Sequence, residues 1–173
     1  MDWNKAANIA VIAAACVVIG LAVKDRIPTP RRLEAKLEAR FMGKPLPLPD
    51  RSVLGRSVTA VLFVSKSCHF CAESMPFYER LTNARRPGSV SVIAVVPEGR
   101  ETRDEGVRLL TEHGVSVDGV YALRFIDLGI AATPTIALLD GGGRLRAAWT
   151  GLLGTDTQAA VLSRISAMAA GRK

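Results

Sequence analysis

Cysteine is scarce in this chain. Its 173 residues hold three, too few for the disulfide framework that supports small secreted domains. Aromatic residues are also few, at 5%, and they do not cluster among the basic side chains. That matters because 23 Lys and Arg stand against 16 Asp and Glu, a net charge of +7. The basic residues are scattered and form no nucleic-acid motif, so the charge reads as a generally basic surface and not as a DNA or RNA interface. No internal repeat or low-complexity tract is evident. What is there is 49% hydrophobic and 23% charged, the composition of a globular protein long enough for one domain and a short appendage.

Polar residues are missing from one stretch. Ala6 to Val23 reads AANIAVIAAACVVIGLAV, with Asn8 its single strongly polar residue. At about eighteen residues it is near the lower limit for a helix crossing a hydrocarbon core, and it lacks the polar stripe of a soluble helix. Residues 1–26 are therefore expected to be a membrane anchor, with Trp3 at one interface and Lys24 and Arg26 at the other. A cleaved signal peptide is the competing reading, since Gly20-Leu21-Ala22 has cleavage-like spacing. Cys16 follows three alanines, but the residues after it stay apolar, so it reads as a small residue of the helix and not as a lipidation site. Lys24, Arg26, Arg31 and Arg32 follow the helix while Lys5 precedes it, and the positive-inside rule would hold the rest of the chain in the cytoplasm.

Residues 27–49 read as a stalk. Ile27-Pro28-Thr29-Pro30 stops the helix, Leu33 to Met42 has amphipathic helical spacing, and Lys44 to Pro49 carries prolines at period two and must be extended. The folded domain is then 50–173. Val58 to Val64 is a β-branched and aromatic run of the kind buried on both faces of a sheet. The spacing predicts a helix from Cys68 to Leu81 with Pro76 inside it, and a strand at Val90 to Val96. A helix from about Glu101 to His113 and a short strand at Val115 to Val120 follow. A strand at Thr135 to Leu139, a turn at Gly141–Gly143 and a strand at Arg144 to Thr150 form a hairpin; a last helix starts at Thr155-Asp156, which can cap it. The fold class is α/β, a mixed sheet flanked by helices.

The chemistry is concentrated at Cys68-His69-Phe70-Cys71. A C-x-x-C at the start of a helix puts both sulfurs on one face, within reach of a disulfide. The helix N-terminus favours an anionic sulfur at Cys68, the species that attacks disulfides, and Cys71 is placed to resolve the mixed disulfide. Half of a zinc site is the other reading, but zinc wants four ligands, and beyond this pair the chain offers only Cys16, two histidines and carboxylates. His69 either tunes the sulfur from between the cysteines or is merely exposed. His113, before Gly114, marks a helix end.

VLFV, the C-x-x-C, Pro76 five residues later and Ala132-Thr133-Pro134-Thr135 before a strand together resemble the thioredoxin superfamily over about residues 45–170. The N-terminal apolar run, and room for an extra α/β unit between Cys71 and Pro134, look most like its TlpA/ResA-type membrane-anchored thiol:disulfide oxidoreductases. That resemblance implies a thioredoxin-like sheet, Cys68 as nucleophile, Cys71 as resolving thiol, and His69 and Phe70 as redox-tuning residues. It also implies a cis Thr133–Pro134 bond that offers backbone groups to a substrate strand. It implies no cofactor. The partners implied are protein thiols and disulfides and an electron-donor protein, on the extracytoplasmic side of a bacterial inner membrane, against the sign of the basic flank. Three positions depart from the family. Ser67 stands where Trp is usual, Leu62 where thioredoxins bury an acid, and Ser74 where TlpA/ResA-type proteins often carry Glu, which leaves Glu73 as a turn-neighbour candidate for moving the Cys71 proton or as a solvated helix residue. A copper-handling module using Cys68, Cys71 and His69, or a thiol peroxidase, are the alternative functions on such a fold.

Overall fold

The computed structural model describes residues 11–18, 37–49, 56–85 and 88–171. Strands β1 (Val58–Phe63), β2 (Val90–Pro97), β3 (Gly119–Leu123), β4 (Thr135–Asp140) and β5 (Leu145–Thr150) form one sheet in the order β3-β2-β1-β4-β5. β1, β2 and β3 run parallel, whereas β4 is antiparallel to β1 and to β5. Helices α1 (His69–Asn83), α2 (Arg103–Glu112) and α3 (Thr155–Ala170) complete the order.

β1 is buried along its whole length, and its period of two sends side chains into separate cores. Ala60, Leu62 and Val64 point to the face covered by α1, α2 and α3, where Met75, Leu81, Leu110, Val161 and Ile165 pack. Val61 and Phe63 point to the other face, against Leu37, Leu46, Leu48, Leu128 and Ile130.

That second core corrects the expected stalk. Residues 37–41 are helical and 42–48 dock on the hairpin: the Gly43 amide donates to the Leu145 carbonyl (2.9 Å), the Leu145 amide to Lys44 (3.0 Å), and the Leu46 amide to Gly143 (2.9 Å). The prolines at period two explain it. Pro45, Pro47 and Pro49 are exposed, which leaves Leu46 and Leu48 facing inward. The folded unit therefore begins by residue 37, and not at 50.

Two further boundaries differ from expectation. β3 starts at Gly119 because the chain first closes α2: Gly114 takes φ +68°, and the Val115 amide donates to the Leu110 carbonyl (2.9 Å). α3 is capped by Gly154 without a side-chain bond, so Thr155 and Asp156 lie inside its first turn, where Asp156 faces the positive end of the helix dipole. The Asp140 carboxylate organises the β4–β5 turn, accepting from the amides of Gly142 (2.9 Å) and Arg144 (3.0 Å).

The anchor expected over Ala6–Val23 lies outside the described residues except for 11–18, which are helical and expose Val11, Ile12, Cys16, Val17 and Val18. Among the described residues, no helix is long and apolar enough to cross a membrane.

Candidate active site

The C-x-x-C sits where β1 hands over to α1. Cys68 is the N-cap of α1, and its sulfur takes the place of a capping oxygen, accepting from the Cys71 amide at 3.2 Å. Cys68 is half-buried and open to a cleft, whereas Cys71 is 1% exposed. The two sulfurs thus differ in access, one open to solvent and the other enclosed by the core. Burial is the main reason the Cys71 thiol is pushed up to about 12, with the Cys68 sulfur adding to it; a backbone hydrogen bond from Ser65 and a side-chain bond from Thr133 act the other way.

Opposite the pair lies the loop before β4. The Thr133–Pro134 peptide bond is cis, as the family resemblance implies. The Cys68 thiol donates to the Thr133 carbonyl at 3.4 Å, and the Gly151 amide holds the loop through the Pro134 carbonyl at 2.7 Å. Thr133 thus meets the Cys68 sulfur through its carbonyl. Beside Cys68 opens a cleft of about 570 Å³, floored by Ser67 and Thr133 and walled by Arg100, Arg124, Phe125 and Ile126.

The fold has solved counterparts. A thiol:disulfide interchange protein from Bacteroides sp. matches with a TM-score of 0.53 at 20% identity over 67% of this chain and 77% of its own. A thiol-disulfide isomerase from Corynebacterium glutamicum gives 0.55 at 16% identity, over 72% and 92%. The thioredoxin domain of a thiol-disulfide oxidoreductase from Bacteroides vulgatus gives 0.52 at 18%, over 65% and 81%. The fold is thioredoxin-like. No family profile matches the chain, and no curated protein matches it by sequence.

Within the thioredoxin-like frame the departures acquire explanations. Leu62 is fully buried in the core that also contains Cys71. Ser74 is spent within its own helix, its hydroxyl donating to the Phe70 carbonyl at 2.8 Å. Ser67 places its hydroxyl 3.0 Å from that of Ser65. The residues between the cysteines face solvent: Phe70 is 53% exposed, and His69 meets Glu73 at 2.6 Å. Glu73 therefore lies on the solvent side of α1, away from the buried Cys71. His113 caps the end of α2, as its place before Gly114 implies. Among the described residues, no three His, Cys, Asp or Glu side chains come together to hold a metal ion.

Sequence reasoning missed two buried groups beside the pair. Tyr78, on the Cys71 face of α1, has its phenol pushed up by burial; its helical spacing marks it only as core. Glu101 lies under the loop that precedes Cys68, and no local pattern marks it, since it reads as one more acid at a helix start.

Proposed function

We propose that this chain is a thiol:disulfide oxidoreductase acting on protein thiols and disulfides. The observation that carries the reading is the pairing of a half-exposed Cys68 at a helix N-terminus with a buried Cys71, with the Cys68 thiol against the Thr133 carbonyl of the facing loop. In the reducing direction the Cys68 sulfur attacks a substrate disulfide, forming a mixed disulfide and releasing one substrate thiol. Cys71 then loses its proton and attacks the Cys68 sulfur. The Cys68–Cys71 bond forms, the second substrate thiol leaves, and two electrons have passed to the substrate. An electron-donor protein returns the pair to the dithiol; the reverse sequence oxidises a substrate. Thr133 and Pro134 supply the platform, with the Thr133 carbonyl exchanging its Cys68 contact for the amide of an extended substrate strand.

Two variants test the assignment. Reduction of a disulfide-bonded polypeptide is expected to vanish in Cys68→Ser, while Cys71→Ser is expected to accumulate a mixed disulfide visible on non-reducing gels. A wild-type protein that forms no Cys68–Cys71 disulfide over a full range of glutathione ratios would sink the reading.

The same proposal places the protein in a bacterial inner membrane, held by residues 6–23, with the catalytic domain outside the cytoplasm. The uninterrupted apolar run supports the anchor, and an oxidising compartment supplies disulfides to act on. A reporter fused after Lys173 decides the side: activity of a cytoplasm-only reporter refutes it.

A further inference from the structure

Glu101 is 6% exposed, and burying a charge is costly unless it is well satisfied. Its place is set by a turn after β2. Gly99 takes φ +81°, and the Arg100 and Glu101 amides both donate to the Pro97 carbonyl. The side chain then reaches under the loop between β1 and α1. It accepts from the Ser65 hydroxyl at 2.5 Å and from the Lys66 amide at 3.0 and 3.1 Å. Because the Ser65 proton is spent on the carboxylate, the Ser67 hydroxyl and amide are the donors to the Ser65 oxygen, at 3.0 and 3.3 Å. One carboxylate thus orders three consecutive residues. The Lys66 ammonium takes no part; it pairs with Glu105.

That loop leads straight into the pair. The Cys68 amide donates to the Ser65 carbonyl at 3.1 Å, and the Cys68 sulfur so placed accepts from the Cys71 amide at 3.2 Å. We infer that Glu101 is a positioning residue for the redox pair: it fixes the Ser65–Ser67 loop in the form that presents the Ser65 carbonyl to the Cys68 amide, and so sets the dithiol–disulfide equilibrium. The inference rests on the oxidoreductase reading above. Its direction follows from what is lost. A slack loop frees Cys68 from the place in which its sulfur accepts from the Cys71 amide in the dithiol form, so removing the carboxylate moves the equilibrium toward the disulfide.

The test is equilibration with glutathione, in which the Cys68–Cys71 bond forms as one glutathione disulfide is reduced to two thiols. Glu101→Ala is expected to shift the equilibrium constant toward the disulfide by about tenfold, which is about 30 mV. Glu101→Gln keeps an acceptor oxygen and is expected to shift it the same way by less, though at least twofold. If the alanine variant fails to fold, the glutamine variant decides. Asp118→Asn is the control: Asp118 also accepts from a serine hydroxyl and a backbone amide, at 2.8 Å each, but at the opposite end of β2. It is expected to lower stability and leave the equilibrium within twofold of wild type. A change below twofold in the Glu101 variants, a shift toward the dithiol, or an equal shift in Asp118→Asn overturns the proposal. A wild type that forms no disulfide sinks the oxidoreductase reading itself and this inference with it.

Discussion

At the scale of single residues, the pair at 68 and 71 is made unequal by depth. One turn of helix separates them, yet Cys68 meets the cleft and Cys71 meets the core. This has a consequence for stability against pH. In the unfolded chain Cys71 has the ordinary value of 9.0; in the folded dithiol, burial first and Cys68 second push it up to about 12. Between those values the folded state binds the extra proton. The contribution is therefore whole below pH 9.0 and is lost as pH rises toward 12. Dithiol protein is expected to lose stability over that window more steeply than Cys71→Ser, which has no thiol to titrate there. Urea midpoints at several alkaline pH values check this, and parallel curves for the two proteins would refute it.

At the scale of elements, the contacts that fix the sheet are local in kind but not in sequence. α2 lies against β2 and β3 closely enough that a Cβ at Gly106 would sit 2.8 Å from Val96 Cγ1 and 2.9 Å from Val120 Cγ1. Both valines are buried and have little room to yield. Alanine would raise helix propensity by about 1 kcal/mol, but overpacking of this kind costs about 1–3 kcal/mol. Gly106→Ala is expected to lower the urea midpoint, and an unchanged or raised midpoint would show that the helix simply moves outward. Gly106 also marks a limit of legibility. The runs at Val58–Phe63 and Val90–Pro97 announce buried strands by composition, and the C-x-x-C announces the site by spacing. A glycine within α2, or a glutamate at its approach, announces nothing, because its role is defined by β2, β3 or the Ser65 loop, which fold beside it from elsewhere in the chain.

At the scale of the whole molecule, the question is where the folded unit stops and the tether begins. Leu46 and Leu48 were legible as part of an extended proline-rich segment. Which way they face was not, because that depends on the uncovered side of the sheet formed by residues far downstream. With Leu37 they close the core beneath Val61, Phe63, Leu139 and Leu145. Removing one such leucine costs about 2–5 kcal/mol, comparable with much of the stability of a domain this size. A soluble fragment that starts at residue 50 is therefore expected to aggregate, whereas one that starts at residue 37 keeps its core. The packed segment also shortens the tether, since between Val23 and Leu37 lie residues 24–36 alone, which at full extension span about 45 Å. On the anchored reading the cysteine pair works close to the membrane surface. A protease site inserted near residue 30 should release a fragment that stays soluble and still forms the Cys68–Cys71 disulfide, while a site inserted between 49 and 50 should yield aggregate. A released fragment that still sediments with membranes would show that something other than residues 6–23 holds the protein there.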